Sequence, residues 1–305
     1  MTVVLAIDIG GTKVEAALVD QDGTVRAGSR VRRPTGRDIE PIAMRAALAE
    51  VITEATAAPG GEAVLAVGVG TAGPFRDAGG VIAPVNMPGL NGFRLAEEVA
   101  GIAARDLGRE LPVRVGHDGS CLAVAEAWIG ATAGSTASMS IVVSTGIGGG
   151  IVIDGVLIAG ASGNAGHLGQ THISGEGLTL EEVASGPASV AWARARGWRG
   201  TSGEDLARDA AAGDETARAA IVRSARAVGA GLSDAITLLD LEVVSIGGGF
   251  SQAAPDYIEL VQEGLAAAAV LDYARSARIV RSGLHGDGPL VGAAAIALRS
   301  AGALS

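Results

Sequence analysis

Apolar residues run almost unbroken through "VVLAIDIG" at 3–10, and then alternate through "KVEAALVD" at 13–20. The pattern predicts a buried strand followed by a second one antiparallel to it, with "QDGT" at 21–24 as a hairpin turn. From Glu40 to Ala58 apolar positions recur at helical spacing until Pro59-Gly60-Gly61 stops them, and "VLAVGVG" beyond is another buried strand. Residues 70–91 read as a long loop punctuated by Gly and Pro. A helix over Phe93–Leu107, a strand in "LPVRVGHD" ending in a polar tip, and a helix over Cys121–Gly130 with inward alanines follow.

The opening plan then returns. "MSIVVSTGIGGGIVIDGVLIAG" at 139–160 is again an apolar strand, a glycine loop, an apolar strand and an Asp-Gly turn, an internal duplication of pattern. Glu204–Leu239 is helical with a break at Gly213-Asp214, "LEVVSIGGGF" is a strand ending in three glycines, "ARIVRS" is the last strand, and "GPLVGAAAIALRSAG" is a closing helix of small residues. Two such copies predict two α/β lobes with ligands in the cleft between them. The expected boundaries are 1–117 together with a C-terminal helix at 289–305 for the small lobe, and 118–288 for the large one.

Composition narrows the partners. A chain of 305 residues, 48% hydrophobic but only 3% aromatic, builds its core from Ala, Val, Leu and Ile. A formal charge of -10 with no arginine stripe argues against nucleic acid. No apolar run approaches the roughly 18 residues of a membrane span, and Met1 leads straight into a strand, so a cytoplasmic protein is expected. Cys121, the single cysteine, excludes an internal disulfide and a thiolate zinc site. At the start of a helix it is a candidate thiolate or, as a small apolar residue, part of the core.

Asp8-Ile9-Gly10-Gly11-Thr12-Lys13 sets a carboxylate at a strand end, then glycines whose N–H groups can approach an anion, then a hydroxyl and an ammonium. Ser144-Thr145-Gly146-Ile147-Gly148-Gly149-Gly150 offers the same donors in the second copy. Singly, each reads equally well as a hairpin turn; together they suit a clamp on a metal-bound polyphosphate. Lys13 is also the only lysine among 23 Lys+Arg. Its place beside the loop is either coincidence or a contact to phosphate, where a compact ammonium fits better than a planar guanidinium.

With "IDIGGTK", "GVGTAGP", "HDGSCLAVAEAW", "STGIGGGIVIDG", "GASGNAGHLGQ", "SGPA", "SIGGGF" and "GPLVGAAAIA" in that order, the chain resembles the ROK family of bacterial sugar kinases and sugar-responsive repressors. The resemblance covers nearly the whole chain. It implies a two-lobed actin-like ATPase (ribonuclease H-like) fold with the active site in the interlobe cleft. It also implies ATP and Mg2+ as cofactors, a small-molecule sugar or cyclitol as substrate, and a homo-oligomer, dimer or tetramer. The family's repressors carry an added N-terminal DNA-binding helix pair; this sequence starts at the phosphate loop, which implies the kinase arm.

Carried over residue by residue, the resemblance gives Asp8, Gly10, Gly11, Thr12 and Lys13 the ATP phosphates, with Asp8 the Mg2+ carboxylate. Thr145 and Gly146 grip phosphate from the large lobe, and Gly247, Gly248 and Gly249 lie by the adenosine. The family's Asn-Asp-Ala-Asn matches His117-Asp118-Gly119-Ser120, which makes Asp118 the catalytic base; the alternative is an aspartate that only caps the next helix. Gly73 and Asn86 match a sugar-facing loop. A sugar-binding Glu matches Glu181, with Glu182 as the other possible register.

This sequence departs from the family at the acceptor site. His117 replaces an Asn, and the family's Gly-Glu-x-Gly-His is Gly166-His167-Leu168-Gly169-Gln170, so His167 and Gln170 replace a Glu and a His. That His is one of the family's zinc ligands, and "HISGEGLTLEEVASG" holds none of the accompanying cysteines, so no zinc is expected. His172 and His285 match no sugar contact. The three replacements are either drift that still binds glucose or a changed specificity. The acceptors open are therefore a glucose-like hexose or a C7 cyclitol, with an amino sugar such as kanosamine as an alternative, and a non-catalytic sugar sensor as the reading from another class.

Overall fold

The computed structural model describes residues 2–77, 79–173, 177–284, 287–300 and 302. They divide into two compact units, unit 1 comprising Met1–Ile129, Leu157–Ala165 and Leu284–Ser305, and unit 2 comprising Gly130–Val156 and Gly166–Gly283.

In unit 1 the opening apolar run forms β1 (Val3–Ile9) and the alternating run forms β2 (Lys13–Asp20), antiparallel as expected. β3 (Val31–Pro34) extends the hairpin; α1 (Pro41–Thr56) leads to β4 (Val64–Thr71), which pairs parallel to β1. The Gly/Pro loop holds a small ribbon, β5 (Val81–Ile82) with β6 (Phe93–Arg94), so α2 begins at Leu95 and not at Phe93 (Leu95–Leu107). β7 (Val113–His117) pairs parallel to β4, and α3 (Asp118–Ile129) starts at the very next residue, three positions before the expected Cys121.

Unit 2 repeats the plan with β8 (Ala137–Val143), β9 (Ile147–Ile153) and β10 (Val156–Leu157). Four helices follow: α4 (Leu180–Ala184), α5 (Gly186–Arg194), α6 (Gly203–Ala211) and α7 (Glu215–Leu239). β11 (Val243–Gly247), α8 (Tyr257–Ala268), α9 (Asp272–Ser276) and β12 (Arg278–Arg281) complete it, and α10 (Gly288–Ser300) returns to unit 1. The sheet orders are β3-β2-β1-β4-β7 and β10-β9-β8-β11-β12, each with its hairpin at one side and two parallel strands at the other. The duplication read in the sequence is thus one of topology.

The division differs from the expected boundary at 117/118: α3, the segment 157–165 and residues 284–288 belong with unit 1. The reason is close packing of small residues. A side chain at Gly292 in α10 would strike the Cys121 backbone at 2.3 Å and one at Gly68 in β4 would strike Ala293 O at 1.8 Å, so α3, α10 and β4 approach at backbone distance. Ala293, Ala294 and Ala297 then bury against Val4, Ala6, Ala17 and Ala66 on one face of the sheet. The other face packs Ile7, Ile9 and Val14 against Leu48, Ile52, Val99 and Ile102 of α1 and α2. Unit 2 has its own core, with Ile141 and Val244 of the sheet among Ile221, Val228 and Leu232 of α7. Cys121 is fully buried, and burial pushes its thiol well up, the nearby Asp118 and Asp8 carboxylates adding to it; it is a core residue and no nucleophile.

Candidate active site

The β1–β2 turn is closed by the Gly10 N–H donating to Lys13 O at 2.9 Å, and it is held from β3 by Thr35, whose N–H donates to Thr12 O (3.0 Å) and whose hydroxyl donates to Gly10 O (2.7 Å). Asn86 packs on it, since a side chain at Gly11 would meet Asn86 Nδ2 at 2.9 Å. Asp8 sits one pair below the turn, opposite Glu15. Burial pushes its carboxyl up to about 7, with the Asp118 and Glu15 charges adding and Lys13 opposing. A largely buried carboxylate with a second one, Asp118, near enough to act on it is an all-oxygen donor set that suits a divalent cation, so Asp8 fits the metal role on its chemistry.

Lys13 lies on β2 with its ammonium on Glu15 Oε2. Arg32 Nη2 and Arg30 Nε reach Glu15 Oε1 at 2.9 and 3.1 Å. Burial raises the Glu15 carboxyl, but the bonds from Arg32 and Lys13 outweigh that and hold it below the ordinary range. Sequence reading missed Glu15; the signal was a carboxylate at an inward position of a buried strand.

Asp118 opens α3, its side chain 51% exposed, while His117 beside it is buried. The Gly119 N–H donates to Asp118 Oδ1 at 2.7 Å, and His117 Nδ1 stands 3.1 Å from the same oxygen. A carboxylate in the first turn of a helix is favoured by the helix dipole and here is aimed by an adjoining amide. Gly73 precedes Pro74 and Phe75, a segment that Asn164 clamps by accepting from the Phe75 N–H (2.8 Å) and donating to Phe75 O (2.9 Å). Asn164 is 89 residues away in sequence and carried no role at the sequence level.

In unit 2, the Thr145-Gly146 turn is held from α4. The Ile147 N–H donates to Glu181 Oε2 at 2.7 Å, and Gln170 Nε2 donates to Glu181 Oε1 at 3.2 Å. Glu182 instead closes a capping box with Thr179, so of the two it is Glu181 whose carboxylate lies at the loop. His167 begins the Leu168–Gln170 turn. Thus Gly146, Gln170 and Glu181 are brought together within unit 2, while Asp8, Lys13, Asn86, His117 and Asp118 lie in unit 1.

The Gly186 N–H, at the start of α5, donates to Ser144 O at 2.9 Å, so the positive end of that helix stands at the second loop. There a cavity of about 680 Å³ opens, lined by Thr145, Gly186, Pro187, Ala191, Arg194, Gly249 and Phe250 among others. Of the predicted nucleoside glycines, Gly249 lines it, whereas Gly248 turns the chain at φ 97°, with space for no side chain beside Val143 O. Gly247 ends β11. Pro187, Arg194 and Phe250 were missed; "SGPA" signals the helix start but not the cavity. Among the described residues no group of three or more His, Cys, Asp or Glu could hold a metal ion; 174–176, in the segment matching the family's zinc loop, and His285 lie outside them.

A family model, the ROK family, matches residues 4–300. The chain belongs to the ROK family. N-acetylmannosamine kinase from Escherichia fergusonii is 34% identical over 272 residues, 86% of this chain and 88% of that protein. The crystal structure of a ROK hexokinase from Thermus thermophilus is 32% identical and covers 99% of both chains with a TM-score of 0.82. A ROK family glucokinase from Streptomyces griseus, solved with glucose and AMPPNP, is 27% identical over 97% of this chain and 99% of that one, with a TM-score of 0.80. The fold is accordingly the actin-like ATPase fold of ROK proteins, and the chain is a kinase of that family.

Proposed function

We propose that this ROK sugar kinase transfers the γ-phosphoryl group of ATP to the primary hydroxyl of a hexose-like sugar, with N-acetylmannosamine and glucose the first acceptors to try. The observation that carries the reading is Asp118, half exposed at the first turn of α3 with one oxygen aimed by the Gly119 N–H. Such a carboxylate accepts the proton of the hydroxyl as that oxygen attacks phosphorus. A Mg2+ held at Asp8 would neutralise charge developing on the phosphates. Within unit 1 the Gly10–Thr12 amides and the Lys13 ammonium would add donors to phosphate; within unit 2 the Ser144–Gly146 amides lie by the cavity at the start of α5, which suits a nucleoside.

The named activities of the relatives support this choice of acceptor, as does the donor set. Glu181 spends an oxygen on Ile147 and the other on Gln170, so Gln170 keeps its carbonyl as an acceptor for a sugar N–H or O–H. An N-acylated sugar supplies such an N–H; a C7 cyclitol or kanosamine is a second-rank acceptor. The lack of cysteines in 172–186 and the Thr179–Glu182 capping box at the start of α4 support a reading without zinc.

ADP release from Mg·ATP, measured with N-acetylmannosamine, glucose, mannose, kanosamine and a C7 cyclitol in parallel, tests the proposal. One acceptor is turned over, and Asp118→Asn lowers kcat about 10³-fold with little change in nucleotide affinity. Sugar binding without turnover of any acceptor would transfer the reading to a sensor.

A further inference from the structure

Asp8, Glu15 and Arg32 are successive cross-strand partners on β1, β2 and β3, so their side chains share one face of the sheet. Lys13, two residues before Glu15, joins the same face. Glu15 is the buried member, its side chain 4% exposed, and Lys13, Arg30 and Arg32 all turn to it. Arg30 is anchored a second time by Asp287, ahead of α10. A buried carboxylate is costly until paired, and this one is paired more than once over, so the attraction on the Lys13 ammonium is directed along β2 to Glu15. The other carboxylate on this face is Asp8, across the β1–β2 ladder. An ammonium seated on Asp8 would occupy the lone pairs that a divalent cation needs and would repel that cation.

The geometry points to Glu15 as a positioning residue that holds Lys13 off Asp8, leaving the Asp8 carboxylate open to a nucleotide-bound divalent cation. An ammonium has three donors, and a bond to Glu15 leaves the rest for phosphate oxygens. The same arrangement accounts for a lysine at position 13: a branched guanidinium has no such single point of attachment and would meet Arg30 and Arg32 around the same carboxylate. This inference rests on the reading of Asp8 as the metal carboxylate.

Calorimetric titration of Glu15→Gln and of the wild type with AMPPNP, once with Mg2+ and once with EDTA, tests it. Loss of Glu15 weakens Mg·AMPPNP binding about tenfold, the size of one charge-assisted hydrogen bond, while metal-free AMPPNP changes less than about twofold. Glu15→Asp restores a part of the affinity. Equal loss with and without metal would reduce Glu15 to a structural residue and overturn the inference. Failure of the wild type to bind Mg·AMPPNP would count against the kinase reading itself.

A second measurement needs neither ligand nor variant. As the only lysine, Lys13 gives a single side-chain ammonium signal in protein labelled with 15N and 13C. A hydrogen-bond coupling from it to a glutamate Cδ is expected. A coupling to an aspartate Cγ, or none, would overturn the inference even where Glu15→Gln fails to fold.

Discussion

The two hairpins of the duplicated sheet differ in what they carry. In unit 1 the last register pair before the turn is Ile9↔Val14 and the next is Asp8↔Glu15; in unit 2 the corresponding pairs are Val143↔Ile147 and Val142↔Gly148. Charge therefore occupies one copy only. Unit 1 surrounds its buried Glu15 with Lys13, Arg30 and Arg32, whereas unit 2 keeps the two strands of its hairpin, β8 and β9, neutral and borrows Glu181 from α4 to pin the turn. What the two copies share is the backbone plan of strand, glycine turn and antiparallel strand. The carboxylates proposed for acid–base and metal chemistry lie in one copy, where a network of partners offsets the cost of buried charge.

The difference can be broken at Asp8 first. Its carboxyl keeps the proton to about pH 7 in the fold against an ordinary 3.8, so the folded chain binds more protons than the unfolded one in between. The stability this contributes is complete below pH 3.8 and is lost as pH rises through about 7. Asp8→Asn, which mimics the protonated group, therefore matches the wild type near pH 4 and exceeds it at pH 8 by on the order of 2–4 kcal/mol without divalent cations. Urea unfolding at the two pH values checks this, and a gap that does not change with pH would contradict it. The same variant loses Mg2+-dependent turnover.

A smaller effect is expected from Gly248→Ala in unit 2. The residue has φ 97° and its added carbon would lie 2.4 Å from Val143 O, a backbone atom that has little room to move. Destabilisation of about 1–3 kcal/mol follows, read as a lowered Tm. Equal melting temperatures would show that the β11 turn relaxes freely.

The smallest effect is expected at the borrowed carboxylate. Glu181→Gln keeps an acceptor for the Ile147 N–H but removes the charge, a change of about 0.5–1.5 kcal/mol. Steady-state kinetics then show KM for ATP rising more than KM for the sugar, because the bond supports the phosphate turn. A rise confined to the sugar KM would return Glu181 to the role that the family resemblance gave it.

Both glycine turns, the paired strands around them and Asp118 at a strand end were legible in the sequence, since each depends on neighbours within a few residues. The placement of Glu181 over Glu182 was not, because it turned on a capping box with Thr179. Nor was the boundary after residue 117, which moved because Gly292 lets α10 lie on α3.

By itself the sequence determined the duplicated strand order, the two amide-rich turns, the candidate base and the family, because periodicity and ordered motifs are local properties of a chain. Only the tertiary structure decided that Lys13 is held by Glu15, that Asn164 clamps Phe75, and that Phe250 joins Pro187 of α5 around one cavity. Those contacts join residues that no repeat or spacing links. They are selected by burial, which brings a charge or a ring beside whatever partner lowers the cost of leaving water.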